Sequence, residues 1–322
     1  MIKIAIIGLG HIGRILIQAL QESSCLELVS ACDKQSELAS LLPVKTAFYV
    51  SHQELLQNGG FDTVVVATPN SSHCAIALDA LRAGYNVVVE KPAAESMVDL
   101  ELLENTAQKH GSHVYYAFHA ACAPEVIWLK EHLKKNSQKY GPMTSFFSCF
   151  YDPYIDASEQ LKPHAVDLGD CWIDSGVNAL SVLNVVLPVD CLNICSRRQS
   201  GRSTMSPGIR SVSVYFNFAT QKRDNSGMGV VETAWDQDMN YKCTDICFGC
   251  TGWKLTVNHS EQSVIAYSPD KNETTMVKYS GERLLNHYQG VFQDYISTYQ
   301  RGVMNGKSSM EIHRKFFEAV MS

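Results

Sequence analysis

The hydrophobic pattern of this chain changes its period near residue 120. Before that point, short apolar runs alternate with apolar stripes at helical spacing. Ile2–Ile7 is a nearly continuous apolar run, as a strand buried on both faces of a parallel sheet requires. Ile12, Ile15, Leu16, Ala19 and Leu20 then recur as one face of a helix. Leu26–Ala31 and Thr63–Ala67 read as further strands. The second of these leads to a helix capped by Ser71, with Ala75, Leu78 and Leu81 on one face and Gly84 at its end. Asn86–Val89 is another strand. Ser96 begins a helix carrying Leu100, Leu103 and Ala107, Gly111 stops it, and Val114–Phe118 closes the series. Repeated βα units with short connections predict a doubly wound parallel sheet.

Beyond Cys122 the texture differs. A helix is expected over Glu125–Lys134, then the aromatic run Ser145–Tyr151 and a helix over Val177–Leu187. Val212, Val214, Phe216 and Phe218 alternate with Ser213, Tyr215 and Asn217, which is strand period. Ser200–Gly208 reads as a loop, strands continue to about residue 280, and helices are expected over 285–302 and 309–321. The predicted architecture is α/β. A Rossmann domain over 1–122 precedes an α+β domain over 123–322 with a large, mainly antiparallel open sheet. The apolar face of that sheet needs cover from helices or from a second subunit, and a chain of 322 residues suits two cores.

Charge and cysteine usage narrow the partners. The net charge is −6 and no long basic run occurs, so nucleic acid and anionic membranes are poor partners. No apolar stretch reaches the roughly 20 residues of a membrane span. Met1 passes directly into a strand without a leader pattern, and 11 cysteines are scattered along the chain, which suits a reducing, cytoplasmic setting. Cys243, Cys247 and Cys250 are close in sequence, but a structural zinc site takes two such clusters. Residues 244–258 read better as a hairpin turning at Thr251-Gly252, and no metal is expected.

The first chemical signal is Gly8-Leu9-Gly10-His11-Ile12-Gly13, which follows a buried strand and opens a helix. Gly8 allows the tight turn, Gly10 lets backbone approach a pyrophosphate, and Gly13 allows close helix–strand packing. The N–H groups of His11, Ile12 and Gly13 face the phosphates at the helix N-terminus. Asp33 stands 20 residues past Gly13, where a carboxylate accepts from ribose hydroxyls and repels a 2′-phosphate. NAD is therefore preferred, and Lys34 leaves room for NADP.

Residues 67–94, from Ala67-Thr68-Pro69-Asn70 and His73 to Glu90-Lys91-Pro92, resemble the signature of the glucose–fructose oxidoreductase / inositol dehydrogenase (Gfo/Idh/MocA) family. The resemblance implies that Thr68, Asn70, His73 and Glu90 lie beside the cofactor, with Lys91 near the nicotinamide and the reacting carbon. Lys91 also stands at the carboxyl end of a parallel strand, where α/β sheets place ligands. A lysine whose ammonium is disfavoured by a cationic ring and by burial exchanges protons with a hydroxyl.

The family's second motif is Asp-x-Gly-x-His, and here it reads Asp174-Ser175-Gly176-Val177-Asn178, with Asn178 in place of the histidine. That departure resembles the branch containing D-galactose and L-arabinose 1-dehydrogenases, which oxidise the C1 hydroxyl of an aldose to a lactone. The resemblance implies a base drawn from Lys91 and Asp174, acting as a coupled pair. It also implies that Asn178 holds the anomeric oxygen without titrating. His119, Tyr151 and Asp152 are further expected substrate contacts, with Tyr154 and His164 nearby in sequence. The expected partners are a small aldose and a second copy of the chain, as a homodimer or a dimer of dimers. Two alternatives stay open: a sugar or inositol dehydrogenase acting away from C1, and a non-catalytic NAD-binding sugar sensor.

Overall fold

The computed structural model describes residues 1–201, 209–219, 226–270, 272–302 and 306–321. Two expectations fall outside the described residues: most of the Ser200–Gly208 loop, of which 202–208 are not described, and the side chain of His164. The chain divides into two compact units, Met1–His119 with Leu284–Met310, and Ala120–Arg283 with Glu311–Ser322.

The first unit runs β1 (Ile2–Ile7), α1 (His11–Gln21), β2 (Leu26–Cys32), β3 (Ala47–Tyr49), α2 (His52–Asn58), β4 (Thr63–Val66), α3 (Asn70–Arg82), β5 (Asn86–Glu90), α4 (Met97–His110) and β6 (Val114–Ala117). Its six strands are ordered β3-β2-β1-β4-β5-β6 and all pair in parallel. Val64, Val65, Val66, Val87, Val88 and Val89 are at most 1% exposed, as strands covered on both faces must be. The strand order reverses between β1 and β4, and a doubly wound sheet opens its ligand crevice at that point. Ser96 caps α4 by accepting from Asp99 N, and Gly111 ends it in the left-handed conformation. The cap expected at Ser71 is not formed. Instead α3 starts at Asn70 after Pro69, with no side-chain cap.

The sequence reading puts all residues after 122 in the second domain, but the chain returns to the first unit. Helix α8 (Arg283–Arg301) buries Leu285, Tyr288, Val291, Phe292 and Tyr295 on one face. Tyr295 and Thr63 hydroxyls lie 2.6 Å apart, and Tyr115 Oη donates to Asp294 at 2.8 Å. These bonds tie α8 to β4 and β6 rather than to the antiparallel sheet.

The second unit holds α5 (Pro124–Lys135), α6 (Ser137–Tyr140), β7 (Ser145–Pro153), α7 (Cys171–Val186), β8 (Leu192–Ser200), β9 (Ser211–Ala219), β10 (Ser226–Ala234), β11 (Asp236–Phe248), β12 (Trp253–Asn258), β13 (Ser263–Tyr267) and β14 (Glu273–Lys278). The last helix, α9 (Gly306–Met321), is divided between the units at Met310. The sheet order is β14-β13-β12-β11-β7-β10-β9-β8, antiparallel except for the β7–β10 pair. The expected hairpin is present, with Ile246 opposite Leu255. Val212, Val214, Phe216, Phe218, Phe146, Phe150, Leu255 and Val257 form the buried face, at most 4% exposed. Helices α5 and α7 cover it within the unit, so the apolar side needs no second subunit. The outward face is a polar ladder in which Tyr151 and Ser213 donate to Glu232, and Lys254 and Thr256 donate to Asp245.

A buried polar chain crosses the covered face. Ser148 Oγ meets Thr244 Oγ1 at 2.9 Å, Thr244 meets His259 Nε2 at 3.0 Å, and His259 Nδ1 meets Glu125 at 3.3 Å. It links β7, β11 and the residue after β12 to the first turn of α5. Among the described residues no helix is long and apolar enough to cross a membrane, and no group of three or more His, Cys, Asp or Glu is placed to hold a metal.

Candidate functional site

In the first unit the glycine loop is built by exclusion. Gly8 has φ +99°, and a Cβ there would stand 2.5 Å from Ala67 O; a Cβ on Gly13 would stand 2.2 Å from Gly8 O. A Cβ on Gly10 would meet nothing within 4 Å, so the space beside the loop at that position is open. Helix α1 begins after Gly10 with no side-chain cap, which leaves the N–H groups of His11, Ile12 and Gly13 available to an anion. Asp33 is fixed by two backbone donors, Leu9 N at 2.8 Å and Gln35 N at 3.0 Å. Its remaining lone pairs stay at the rim of the loop. An open glycine, uncapped N–H groups and an anchored carboxylate fit the pyrophosphate and adenosine ribose of NAD.

The Thr-Pro-Asn turn after β4 and the turn after β5 are tied together by one imidazole. His73 Nε2 faces Thr68 O at 2.6 Å, and its Nδ1 faces Pro92 O at 2.9 Å. Burial lowers the pKa of His73; the two carbonyls pull it upward and the charge of Lys91 lowers it further. A neutral ring donates to only one of the two carbonyls. His73 is 1% exposed and engaged by the two turns it holds. Thr68 Oγ1 accepts from Ser72 at 2.8 Å, and Asn70 opens α3 beside it.

Glu90 and Lys91 stand at the carboxyl end of β5, and the Lys91–Pro92 peptide is cis. Lys91 is half-buried. Glu90 is 5% exposed, accepts from Lys91 N at 3.3 Å, and leaves its other oxygen, Oε1, without a hydrogen bond. Burial pushes its carboxyl up to about 7, against the opposing effects of the Lys91 charge and the nearby Tyr288 hydroxyl. A carboxyl titrating near neutrality next to the lysine was not apparent from the motif, which shows a surface-type residue. His119, two residues past β6, is 8% exposed, and its Nδ1 lies 3.2 Å from Nδ1 of His287.

In the second unit, α7 begins at Cys171, earlier than the apolar stripe from Val177 suggests. The reason is Asp170, whose carboxylate accepts from Trp172 N and Ile173 N at 2.9 Å each. Asp170 is the cap, so Asp174 lies inside the first turn rather than at the cap position. Gly176 is required because a Cβ there would stand 2.6 Å from the Trp172 ring. Asp174 and Asn178 are one turn apart, 8% and 5% exposed, and Asn178 Nδ2 donates to Asp174 O at 3.4 Å. Asn178 Oδ1 is buried without a hydrogen-bond partner.

Asp152 joins this cluster and Tyr151 does not. Successive strand residues point to opposite faces. Tyr151 therefore lies on the outward face, donating to Glu232 at 2.7 Å, while Asp152 lies on the helix-covered face. The expectation that both contact one substrate is corrected accordingly. Asp152 Oδ1 accepts from Lys242 Nζ at 2.5 Å and from Asn240 at 2.7 Å. The Ser175 hydroxyl lies 3.4 Å from both Asp152 and Asp174. Burial lowers the pKa of Lys242; Asp152 and Asp174 oppose that, and Arg283 adds to it. Tyr154 is pushed well up by burial and by Asp174 and Asp152, and its ring meets Trp235 edge-on. Two carboxylates are thus balanced by two cations, Lys242 and Arg283, among hydroxyl and amide groups. Sequence reasoning missed Ser175, Asn240 and Lys242. The available signal was a lysine sharing a buried strand face with Thr244 and Ile246.

Residues 2–118 match the model of the Gfo/Idh/MocA family, an oxidoreductase family with an NAD-binding Rossmann fold. Among curated proteins, the chain is 31% identical over 134 residues to D-glucoside 3-dehydrogenase of Escherichia coli, covering 40% of this chain and 38% of that protein. It is 27% identical over 162 residues to scyllo-inositol 2-dehydrogenase (NADP(+)) IolU of Bacillus subtilis, covering 49% and 48%. The chain thus spans less than half the length of these two relatives. The solved structure of levoglucosan dehydrogenase with NADH and levoglucosan superposes with a TM-score of 0.83 at 15% identity, over 99% of this chain and 97% of that one, a likeness of fold. The motifs from Gly8 to Pro92, the parallel sheet that carries them and the family match agree: residues 2–118 are similar to the NAD-binding Rossmann fold of the Gfo/Idh/MocA oxidoreductase family.

Proposed function

We propose that this protein is an NAD-dependent dehydrogenase that oxidises a hydroxyl of an uncharged sugar, with the C1 hydroxyl of an aldose as the reacting group and a lactone as the product. The observation that carries the reading is the cluster of Asp152, Asp174, Ser175, Asn178, Asn240 and Lys242. Asp152, Asp174, Ser175, Asn178 and Lys242 are buried and Asn240 is exposed; the cluster is rich in both donors and acceptors and balanced in charge with Arg283. A polyhydroxylated neutral ligand matches such a cluster, whereas a phosphate or carboxylate would meet Asp152 and Asp174. The relatives' names point to sugar and inositol substrates.

Bound NAD supplies the hydride acceptor. Gly8, Gly10, His11, Ile12, Gly13 and Asp33 hold its adenosine diphosphate half, and Thr68, Asn70 and the turn fixed by His73 line the path toward Lys91. The reacting carbon loses a hydride and its hydroxyl loses a proton. Lys91 takes the proton, with Glu90 beside it keeping the local charge adjustable near neutrality, and Asp174 is the second candidate acceptor. Asn178 Oδ1, without a protein partner, accepts from a substrate hydroxyl and does not titrate. His119 and Asp152 hold further hydroxyls. The chain is expected to work as a homodimer or a dimer of dimers through the outward face of the eight-stranded sheet.

The deciding experiment incubates the protein and NAD with D-galactose, L-arabinose, D-glucose, levoglucosan and myo-inositol, with product identification. A lactone hydrolysing to an aldonate supports oxidation at C1. A keto-sugar moves the reaction to another ring carbon, and NAD binding without turnover leaves a sensor.

A further inference from the structure

The first unit contains a histidine pair of which the oxidation chemistry above uses only His119. His119 leaves the end of β6, and α8 supplies His287 and Tyr288; the three are 8%, 1% and 0% exposed. The two Nδ1 atoms lie 3.2 Å apart, and the rings stack with centroids 5.5 Å apart at 29°. Tyr288 packs its ring 5.4 Å from His119 and brings its hydroxyl near Glu90. Helix α8 therefore joins the ends of β5 and β6, where Lys91 and His119 stand.

Two Nδ1 atoms at hydrogen-bond distance impose a rule. One carries a hydrogen and the other offers its lone pair, because two hydrogens collide and two lone pairs repel. In a neutral imidazole a hydrogen on Nδ1 leaves Nε2 as an acceptor, and a bare Nδ1 makes Nε2 a donor. The two rings must therefore hold opposite tautomers.

We propose that His287 is a positioning residue that couples the tautomer of His119 to its own, so that His119 Nε2 meets a substrate hydroxyl as acceptor when His287 Nδ1 is bare and as donor when His287 Nδ1 carries the hydrogen. Its effect on turnover rests on the sugar-oxidation reading, whereas the tautomer rule does not. The same side-chain contact that packs α8 onto the sheet thus sets the hydrogen-bonding sense of a residue at the nicotinamide end of the unit.

The test has two arms. Long-range proton–nitrogen spectra of the histidine-labelled enzyme saturated with NAD, at neutral pH, should show His119 and His287 in opposite tautomers, assigned with His119→Gln and His287→Asn. The same tautomer on both rings overturns the proposal, whether or not any sugar is turned over. In the kinetic arm, with the fastest substrate of the five, His287→Phe should lower kcat by about 10-fold while NAD affinity changes less than about 2-fold. His287→Asn, whose amide can donate or accept in place of Nδ1, should restore kcat to within about 3-fold. An asparagine variant as slow as the phenylalanine variant, or a phenylalanine variant as fast as wild type, contradicts it.

Discussion

At the scale of single residues, the site works by placing ionisable groups where water cannot reach them. Glu90 shows this most clearly. Its ordinary carboxyl pKa of 4.5 rises to about 7 in the folded chain, so folding favours the protonated form. Its stabilising effect is complete below about pH 4.5 and is lost as pH rises through about 7, a difference on the order of 3 kcal/mol. Thermal unfolding of wild type and Glu90→Gln should therefore diverge, with the glutamine variant gaining stability over wild type at pH 8 relative to pH 5. An equal offset at both pH values would show that Glu90 does not titrate in that interval. Lys242 is the complementary case. Lys242→Met leaves Asp152 with Asn240 and Ser175 but without its ion-pair partner, and removing one partner of a buried pair costs about 3–5 kcal/mol. Urea denaturation should show that loss, and Asp152→Leu in the same chain should recover most of it while KM for the sugar stays high. Recovery of KM along with stability would remove the pair from substrate binding. Of these residues Glu90 and Asp152 were legible as site positions, since one sits in a motif and the other precedes one. Lys242 was not, because only strand register shows that it shares a face with Asp152.

At the scale of elements, the βα alternation of the first 120 residues was readable because each strand is a continuous apolar run and each helix has its own stop. β3 and α2 escaped notice because a three-residue edge strand and a seven-residue helix are too short to show a period. The start of α7 was misjudged for a physical reason. Its first turn is fixed by the Asp170 cap and by Trp172, which stacks on Phe316 at 6.1 Å, whereas the apolar stripe begins later. The chain Ser148–Thr244–His259–Glu125 shows how α5 is held to the sheet without apolar contact at that point. Thr244→Val removes the central hydroxyl and strands its two neighbours in a buried setting. A loss of about 1–3 kcal/mol is expected in urea denaturation; a change under about 0.5 kcal/mol would mean that the neighbours find other partners.

At the scale of the whole chain, the path of the backbone departs from the simplest division. Residues 284–310 return to the first unit, so His287 and Tyr288, remote in sequence, reach the ends of β5 and β6. No local pattern announces such a return, because α8 has the same amphipathic stripe whichever sheet it covers. The cofactor half of the account rests on motifs, glycine geometry and a family match that agree. The substrate half rests on a polar cluster whose members come from β7, α7 and β11. The proposed function joins them, with a hydride passing from an uncharged sugar to NAD and Lys91 taking the proton. Its most direct test is NADH formation by wild type and Lys91→Met over the five substrates, with NAD affinity measured in parallel. Wild type should reduce NAD with at least one sugar, and the variant should be about 100-fold slower or worse while binding NAD within about 2-fold. Wild type that binds NAD and reduces none of it with any of the five, or a variant that matches wild type in rate, would contradict the account.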